Sequence, residues 1–410
     1  MSFQHTTLEN GLEIIAEHNE AALSASLGFF VKTGARDEND DNSGVSHFLE
    51  HMVFKGTERR SAADVNRELD ELGGFANAYT SVERTVYYAK VLPELLARTI
   101  DLFGDILRPS LREDDFNIEK KVVLEEIKKY DDQPPFGLEE KYREYFWRNH
   151  PLSRSVSGSC ETVSGITPEI MRDYFTRRYS SDNIVVVVCG QFDFDDVVAQ
   201  VQKTCGHWRP SEPTRELFQP VSLRGTHVFN RADASQEYVV QMVDAPSAVA
   251  TNRRAATLLA DVVGDDVGSR LFWELVDTGR ADAASFHFRP YLDAGLFLTT
   301  LVCRPEDCEE NLKIIRATLD RVQAEGVKQD ELTRAKNKLL AHIAANSERS
   351  QSRMFSIGRH WLFCGQYQSV SEKLDAIRAV SVDDVNSILA QYSLNDPMTM
   401  AIGPLETLRP

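Results

Sequence analysis

The sequence repeats itself in outline after about half its length. Residues 167–190 and 381–403 each begin with a helix-capping residue and continue through a helical segment to a tyrosine, a turn, an apolar strand and a glycine. Their final glycines, Gly190 and Gly403, are separated by about half of the chain. Residues 113–127 match 329–343 at a nearly equal offset. Chance is a poor explanation for two matches at similar offsets, so the pattern predicts a duplicated domain.

The predicted elements of each half mix strands and helices. An Asn-Gly turn at 10–11 between two short predicted strands indicates a β-hairpin, and the run Val185–Cys189 is typical of a buried strand. Helical spacing of apolar residues marks 62–72, 93–107 and 113–130. Strands and helices do not alternate regularly. The predicted fold class is therefore α+β, with two homologous domains in which a sheet is covered by helices.

The join between the halves is marked by composition. The stretch WRPSEPTRELFQPVSLRG, residues 208–225, combines prolines with mixed charge, as linkers often do. We therefore predict a first domain at 1–210, a linker at 211–225 and a homologous second domain at 226–410.

Charge and composition exclude some classes of partner. The net charge is −17, which opposes binding to nucleic acid or to an anionic membrane, and no apolar run approaches the length of a membrane span. Such a charge could favour basic substrates, but a well-solvated acidic surface is the better explanation, and charge does not decide the function. The N-terminal residues do not read as a secretory signal and the six cysteines form no CxxC pair, so we expect reduced thiols and a cytoplasmic location.

The stretch HFLEH, residues 47–51, carries the chemistry of the first half. Apolar residues recur with helical spacing over 45–54, and on a helix His47 and His51 lie one turn apart on the same face. Two imidazoles so placed can share one metal ion, and Glu50 lies close enough to reach a water beside it. HxxEH is the inverted form of the HExxH metallopeptidase signature. An isolated five-residue motif can equally be two ordinary helical histidines.

A second helix offers the missing ligand. Glu119 and Glu126 are two helical turns apart and share a face of the predicted helix, whereas Glu125 is rotated away by about 100°. The apolar run 122–124 indicates that part of this helix is buried, where a carboxylate needs a partner such as a metal. For Glu125 alone, a solvated charged face remains the alternative.

The duplication supplies a comparison within the chain. The second-half counterparts of Glu119 and Glu126 are Ala335 and His342, and the segment that aligns with HFLEH is LADVVG (259–264), which has no histidine. Residues kept only for packing would be similar in both halves. The difference favours a metal set that only the first half carries.

These residues resemble a known family. GVSHFLEHMVFKGT (44–57), followed further along the chain by VVLEEI (122–127), resembles the pitrilysin/insulinase family of inverted zinc metallopeptidases. The length is similar to that of mitochondrial processing peptidase subunits and their bacterial relatives. The resemblance covers nearly the whole chain and implies two homologous α+β domains that form one half of a clam-shell chamber.

The resemblance also assigns roles to individual residues. It implies that His47, His51 and Glu126 bind one Zn²⁺ per chain and that Glu50 is the general base. Glu119 would be a carboxylate that orients a histidine ligand.

Members of this family add their peptide substrate as a β-strand along an edge strand near the zinc. The matching residues here are Asn77, Ala78 and Tyr79. An ordinary strand after a Gly-Gly turn is the alternative for this segment.

One departure affects the second half. Family members of this size usually carry an arginine and a tyrosine after an SRLF segment, and both face the zinc across the chamber. In this chain Val276 and Asp282 stand at those positions, and Arg280 is shifted from the expected place. The resemblance then implies a second homologous subunit that supplies the opposite wall, in a heterodimer or a homodimer.

The predicted function is a zinc-dependent metalloendopeptidase that cleaves extended peptides or unfolded segments, as the zinc-bearing subunit of a heterodimer. Two alternatives stay open. One is a non-catalytic structural or binding subunit of a processing-peptidase-like complex, and the other is a dedicated maturase of one small peptide.

Overall fold

The protein is described from a computed structural model that covers residues 1–132 and 138–409. Contacts between residues divide it into two compact units. The first unit consists of Met1–Lys129, Arg154–Glu216 and Ala345–Gln368, and the second consists of Tyr130–Ser153, Leu217–Ala344 and Ser369–Pro410. The units thus exchange segments of chain, and the boundaries at 1–210, 211–225 and 226–410 remain a prediction about the duplication.

The strands of the described residues form two sheets. Their bounds are β1 Ser2–Thr7, β2 Glu13–His18, β3 Ala25–Val31, β4 Phe75–Thr80, β5 Thr85–Val91, β6 Ile184–Gly190, β7 Gly225–Asn230, β8 Glu237–Asp244, β9 Ala283–Pro290, β10 Gly295–Cys303 and β11 Met398–Gly403.

The α-helices of the same residues confirm the predicted helical segments to within a few residues at each end. Their bounds are α1 Val45–Val53, α2 Ala62–Glu71, α3 Leu96–Ile106, α4 Glu113–Asp132, α5 Leu138–Phe146, α6 Cys160–Gly165, α7 Pro168–Arg178, α8 Phe194–Cys205, α9 Arg253–Gly264, α10 Cys308–Glu325, α11 Gln329–Ser347, α12 Ser350–Cys364, α13 Val370–Arg378 and α14 Val382–Gln391.

Apart from one extra strand, β1, in the first sheet, the strands of the two sheets are arranged in the same way along the chain. The first sheet runs β1-β2-β6-β3-β5-β4 and the second runs β7-β11-β8-β10-β9. In both, one parallel pair (β2 with β6, β7 with β11) is followed by antiparallel neighbours. The common order confirms the duplication and the α+β class. The extra strand β1 pairs with β2 around the turn that contains Gly11, whose φ is 83°, and so confirms the predicted hairpin.

Both faces of the first sheet are buried, which explains the continuous apolar run of β6. Val186 and Val188 lie in the core formed with α1, α3, α7 and α8, while Val185 and Val187 pack in a second cluster with Met354 and Ile357 of α12. Side chains alternate between the two faces of a strand, so a strand covered on both sides needs apolar residues throughout.

Helix α12 comes from the C-terminal half of the chain and is tied to the first sheet by a buried ion pair. Arg353 Nε donates to Glu17 Oε1 of β2 at 2.7 Å, and the hydroxyl of Tyr367 donates to Glu17 Oε2 at 2.6 Å. The second unit receives α5 from the N-terminal half in the same way. Tyr145 of α5 lies against the rings of His227 and Phe229 on β7.

The predicted linker contains no helix or strand between 208 and 224. Its part up to Glu216 is nevertheless held in place within the first unit, because the guanidinium of Arg215 bonds to the carboxylate of Asp37 and to the carbonyls of Lys32 and Glu83. Across 1–132 and 138–409, none of the helices has the length and apolar character needed to cross a membrane.

Candidate metal centre

Helix α1 carries the HFLEH residues and starts at a glycine. Gly44 has φ 92°, a conformation that glycine adopts without strain. The buried carboxylate of Glu38 accepts hydrogen bonds from the amides of Gly44 and Ser46, both at 2.8 Å. These contacts satisfy two of the amides that a helix start leaves open. Burial raises the pKa of Glu38 to about 7.

The apolar stripe of α1 fixes which way the motif faces. Phe48, Leu49 and Met52 are buried in the core under the first sheet. His47 and His51 are half-buried on another side of the helix, with ring centroids 4.8 Å apart. The predicted pairing of the two imidazoles is therefore present in the geometry.

Helix α4 brings two carboxylates to this side of α1. Glu119 and Glu126 both approach the histidines, whereas Glu125 is exposed and pairs with Lys128 at 2.7 Å. The separation of Glu125 from its neighbours follows from helical geometry, as the sequence indicated. Within the run 122–124, however, Val122 is 48% exposed and Val123 is fully buried, so the run is only partly internal.

The donor atoms of His47, His51 and Glu126 converge, all within 4.8 Å of one another. Glu126 Oε2 lies 3.8 Å from His47 Nε2 and 3.4 Å from His51 Nε2. In a tetrahedral zinc site with bonds of about 2.1 Å, neighbouring donor atoms are roughly 3.4 Å apart. Two imidazoles and one carboxylate, with a fourth position left for water, are also a set that catalytic zinc sites use. The residues present therefore fit a zinc ion.

The other carboxylate, Glu119, lies behind His51. Its Oε1 is 2.9 Å from His51 Nδ1, which leaves Nε2 of the ring turned to the cluster. Its Oε2 is 2.6 Å from the ammonium of Lys55. Burial would raise the pKa of Glu119, but the hydrogen bonds with His51 and Lys55 outweigh it and lower that pKa. Sequence reasoning did not identify Lys55, although its position one turn after His51 was a usable signal.

The same contacts act on the imidazole. Burial favours the neutral ring of His51, but the hydrogen bond to Glu119 and the negative charges of Glu126 and Glu119 prevail and raise its pKa. A histidine ligand whose far ring nitrogen donates a hydrogen bond to a carboxylate is fixed in its orientation and tautomer.

Glu50 is half-buried beside the cluster and is held by a strand. The hydroxyl of Thr80, the last residue of β4, donates to Glu50 Oε2 at 2.6 Å. Burial raises the pKa of Glu50, and the bond from Thr80 and the charge of His51 oppose that rise. Sequence reasoning missed Thr80, because only the pairing of β4 with β5 brings it near α1.

The strand that holds Glu50 is the edge of its sheet. β4 pairs with β5 on one side and is last in the strand order. Asn77 is exposed, Ala78 packs toward the core under α1, and Tyr79 packs on the opposite face. The three residues proposed from the family resemblance thus lie on an edge strand that reaches the glutamate of the motif.

Sequence comparison shows which family the chain belongs to. The family model described as insulinase (peptidase family M16) matches residues 13–159, and the peptidase M16 inactive domain matches residues 165–339. An uncharacterized zinc protease of Mycobacterium leprae is 34% identical over 97% of this chain and 91% of its own length. The chain belongs to peptidase family M16. Since relatives of this M16 chain are named zinc proteases, it is a zinc metallopeptidase at the level of the family.

Two solved structures show the same fold. A protease from Helicobacter pylori superposes with a TM-score of 0.91 at 23% identity, over 98% of this chain and 99% of the other. A chain from Pseudomonas fluorescens described as a peptidase M16 inactive domain gives a TM-score of 0.89 at 18% identity, over the full length of both.

The second M16-like domain lacks the metal set at the positions that correspond to it. Ala335 is buried in the core of the second unit and His342 is exposed on α11. Val276 ends a short π-helical turn, Phe272–Val276, and packs against that core. Asp282 accepts a hydrogen bond from Gln236 at 2.7 Å.

Proposed function

We propose that this M16 chain is an HxxEH-type zinc metalloendopeptidase that holds one zinc ion through His47, His51 and Glu126. The observation that supports this most directly is the convergence of the three donor atoms within 4.8 Å, beside Glu50. Glu119 orients His51 through its 2.9 Å contact with Nδ1.

The residues of the site divide the reaction between them. Zinc in such a set supplies Lewis-acid polarisation of a carbonyl and acidifies a water molecule. Glu50 takes the proton of the attacking water and returns it to the amine that leaves. Thr80 holds one oxygen of Glu50 and leaves the other for the water.

The substrate in this proposal is an extended peptide or an unfolded segment. An edge strand offers unpaired backbone groups that can hydrogen-bond to a peptide of almost any sequence. β4 is such an edge, and its last residue contacts Glu50. A peptide paired with Asn77–Tyr79 would lie near the catalytic glutamate.

We further propose a second homologous subunit that supplies the opposite wall of the chamber. Val276 and Asp282 stand where an arginine and a tyrosine would help to hold the substrate carbonyl. A heterodimer in which the partner carries those two residues completes the site. The measurement is the oligomeric state of the purified chain together with its activity alone and with candidate partner chains from the same genome.

Replacing Glu50 with glutamine tests the enzymatic assignment. Glutamine keeps the shape of the side chain but cannot take a proton, so cleavage of an unfolded protein should fall at least about 100-fold. Zinc content, measured by metal analysis, should stay near one ion per chain. Undiminished cleavage by the Glu50→Gln variant would refute the assignment of the base.

A non-catalytic subunit is the second candidate, and the residues at 276 and 282 are the observation that favours it. Metal analysis separates the two functions. A chain that takes up no zinc even when zinc is supplied would be a structural subunit. About one zinc per chain, lost in a His47→Ala variant, supports the enzyme.

A further inference from the structure

Two arginines from neighbouring elements lie near the side of β4 that faces away from α1. Side chains alternate along a strand, so Ala78 and Thr80 face α1 while Tyr79 faces α12. The Tyr79 ring lies 6.0 Å from that of Phe355 on α12. A peptide added beside β4 would alternate in the same way, with every second side chain directed to the α12 face.

The first arginine is Arg84, in the turn between β4 and β5. Its Nε donates to the hydroxyl of Tyr79 at 3.2 Å, and its guanidinium lies 5.8 Å from the ring centroid of Phe363 on α12. The neighbouring acid, Glu83, points elsewhere and pairs with Arg36 at 2.6 Å.

The second arginine is Arg359, one helical turn before Phe363 on α12. The side chain of Arg359 is exposed to solvent. Arg84 contacts Tyr79 and lies over the ring of Phe363, and Arg359 lies one helical turn from that phenylalanine, so we call these two residues the arginine pair. Nearby protein atoms and then the positive charge of Arg84 lower the pKa of Arg359, while Tyr79 acts in the opposite direction, which agrees with this placement.

The charge of the arginine pair is not balanced by a neighbouring acid of the described chain. Within 1–132 and 138–409, no carboxylate forms an ion pair with Arg84 or Arg359. Like charges side by side repel each other, and this chain has a net charge of −17, so carboxylates are plentiful elsewhere. Guanidinium groups bind carboxylates with two parallel hydrogen bonds and are suited to recognising them.

We propose that the arginine pair is a specificity site that binds an aspartate or glutamate side chain of the peptide, within about three residues of the bond that is cut. This inference rests on the proposed function, because it assumes that a peptide lies along β4. The position follows from Tyr79 and Thr80, which are neighbours on β4 and contact Arg84 and Glu50 on its two faces. The overall charge of the chain does not indicate such a preference, whereas this local site selects an acidic side chain.

A binding assay tests the site without requiring turnover. The probes are fluorescein-labelled 12-residue peptides of neutral residues, amidated at the C-terminus, with one aspartate moved through the positions, and a matched series with asparagine. Affinity is measured by fluorescence anisotropy on the zinc-loaded Glu50→Gln chain. At least one aspartate position should bind about 10-fold more tightly than its asparagine counterpart at low salt, since hydrogen bonds to charged groups are the stronger class.

Variants then locate the effect. In the Arg84→Gln/Arg359→Gln double variant, the ratio of the affinities for the aspartate and asparagine peptides should be about 1. The Arg359→Glu variant should instead bind a matched lysine-containing peptide more tightly than the aspartate peptide. Arg67→Gln, an exposed arginine on α2, serves as the control and should keep the ratio. Equal affinities for the two series, or a preference that survives in the double variant, would overturn the assignment.

Two further results separate the inference from the enzymatic proposal. A preference seen only with peptides that have a free C-terminal carboxylate would assign the arginine pair to a chain end and would overturn the side-chain assignment. If aspartate peptides bind selectively but the wild-type zinc-loaded chain cuts none of them, either alone or with a homologous partner subunit, the arginine pair stands and the endopeptidase proposal fails. If the chain cuts the peptides without any preference for aspartate, the endopeptidase proposal stands and the arginine pair is not a specificity site.

Discussion

Replacing Glu38 with glutamine should change how the stability of the first unit depends on pH. Glu38 is buried and caps the helix that carries His47, Glu50 and His51. Burial raises the pKa of its carboxyl from an ordinary 4.5 to about 7. Glutamine has nearly the same shape and does not titrate, so the difference between the two proteins isolates this one proton.

The sign follows from proton linkage. Between pH 4.5 and 7 the folded chain holds the Glu38 proton more firmly than the unfolded chain does, so stability falls as pH rises. The contribution is present in full below the unfolded pKa and is lost once pH passes the folded pKa. A shift of this size corresponds to about 3 kcal/mol. Relative to the wild type, the Glu38→Gln variant should therefore gain about 3 kcal/mol of unfolding free energy between pH 4.5 and pH 7.5.

Paired urea unfolding curves at the two pH values measure this difference. A chelator keeps the chain metal-free, because metal binding has its own pH dependence. Glu58→Gln, an exposed site, is the matched control and should show almost no change with pH. The reasoning is refuted if the Glu38→Gln difference is the same at both pH values, since the carboxyl would then be charged in the folded protein throughout.

Three further substitutions have defined outcomes. Gly44→Ala should destabilise the chain and lower its zinc content, because an added Cβ at φ 92° would lie 2.7 Å from a backbone oxygen; circular dichroism melting and metal analysis report both effects. Glu119→Ala should weaken zinc binding about 10- to 100-fold in chelator competition, because His51 loses the partner of its Nδ1. Arg353→Met should cost roughly 3–5 kcal/mol in urea unfolding, since the buried carboxyl group of Glu17 would lose its ionic partner. A loss below about 1 kcal/mol would contradict this account of the ion pair.

The helices and strands that show a regular spacing of apolar residues were predicted well from the sequence. The helices of HFLEH and VVLEEI, the Asn10–Gly11 hairpin and the strand Val185–Cys189 all follow from local spacing, and the structure confirms them. Helical geometry also placed Glu119 and Glu126 on one face, apart from Glu125. The convergence of two helices on one point is not a local property, and the comparison of the two halves and the family resemblance indicated it.

Contacts between residues far apart in the sequence were not predicted. The bond from Thr80 to Glu50 depends on strand register, and the cap of α1 by Glu38 depends on a loop. The packing of α12 on the first sheet also went unnoticed, because Arg353 reads as one more solvated charge in SERSQSRMF. Glu17 could have indicated this packing, since a buried glutamate within the apolar strand EIIAEH requires a cation as its partner.

The exchange of helices between the two halves affects how the chain is made. The ribosome completes the first sheet when Gly190 is synthesised, but α12 begins only at Ser350. At ordinary rates of translation the interval between these two residues takes roughly 8 to 30 s. During that time the sheet face that holds Phe30, Val185 and Val187 has no helix to cover it. The nascent chain therefore presents an apolar surface to its surroundings, where chaperones can bind it, until translation is nearly finished.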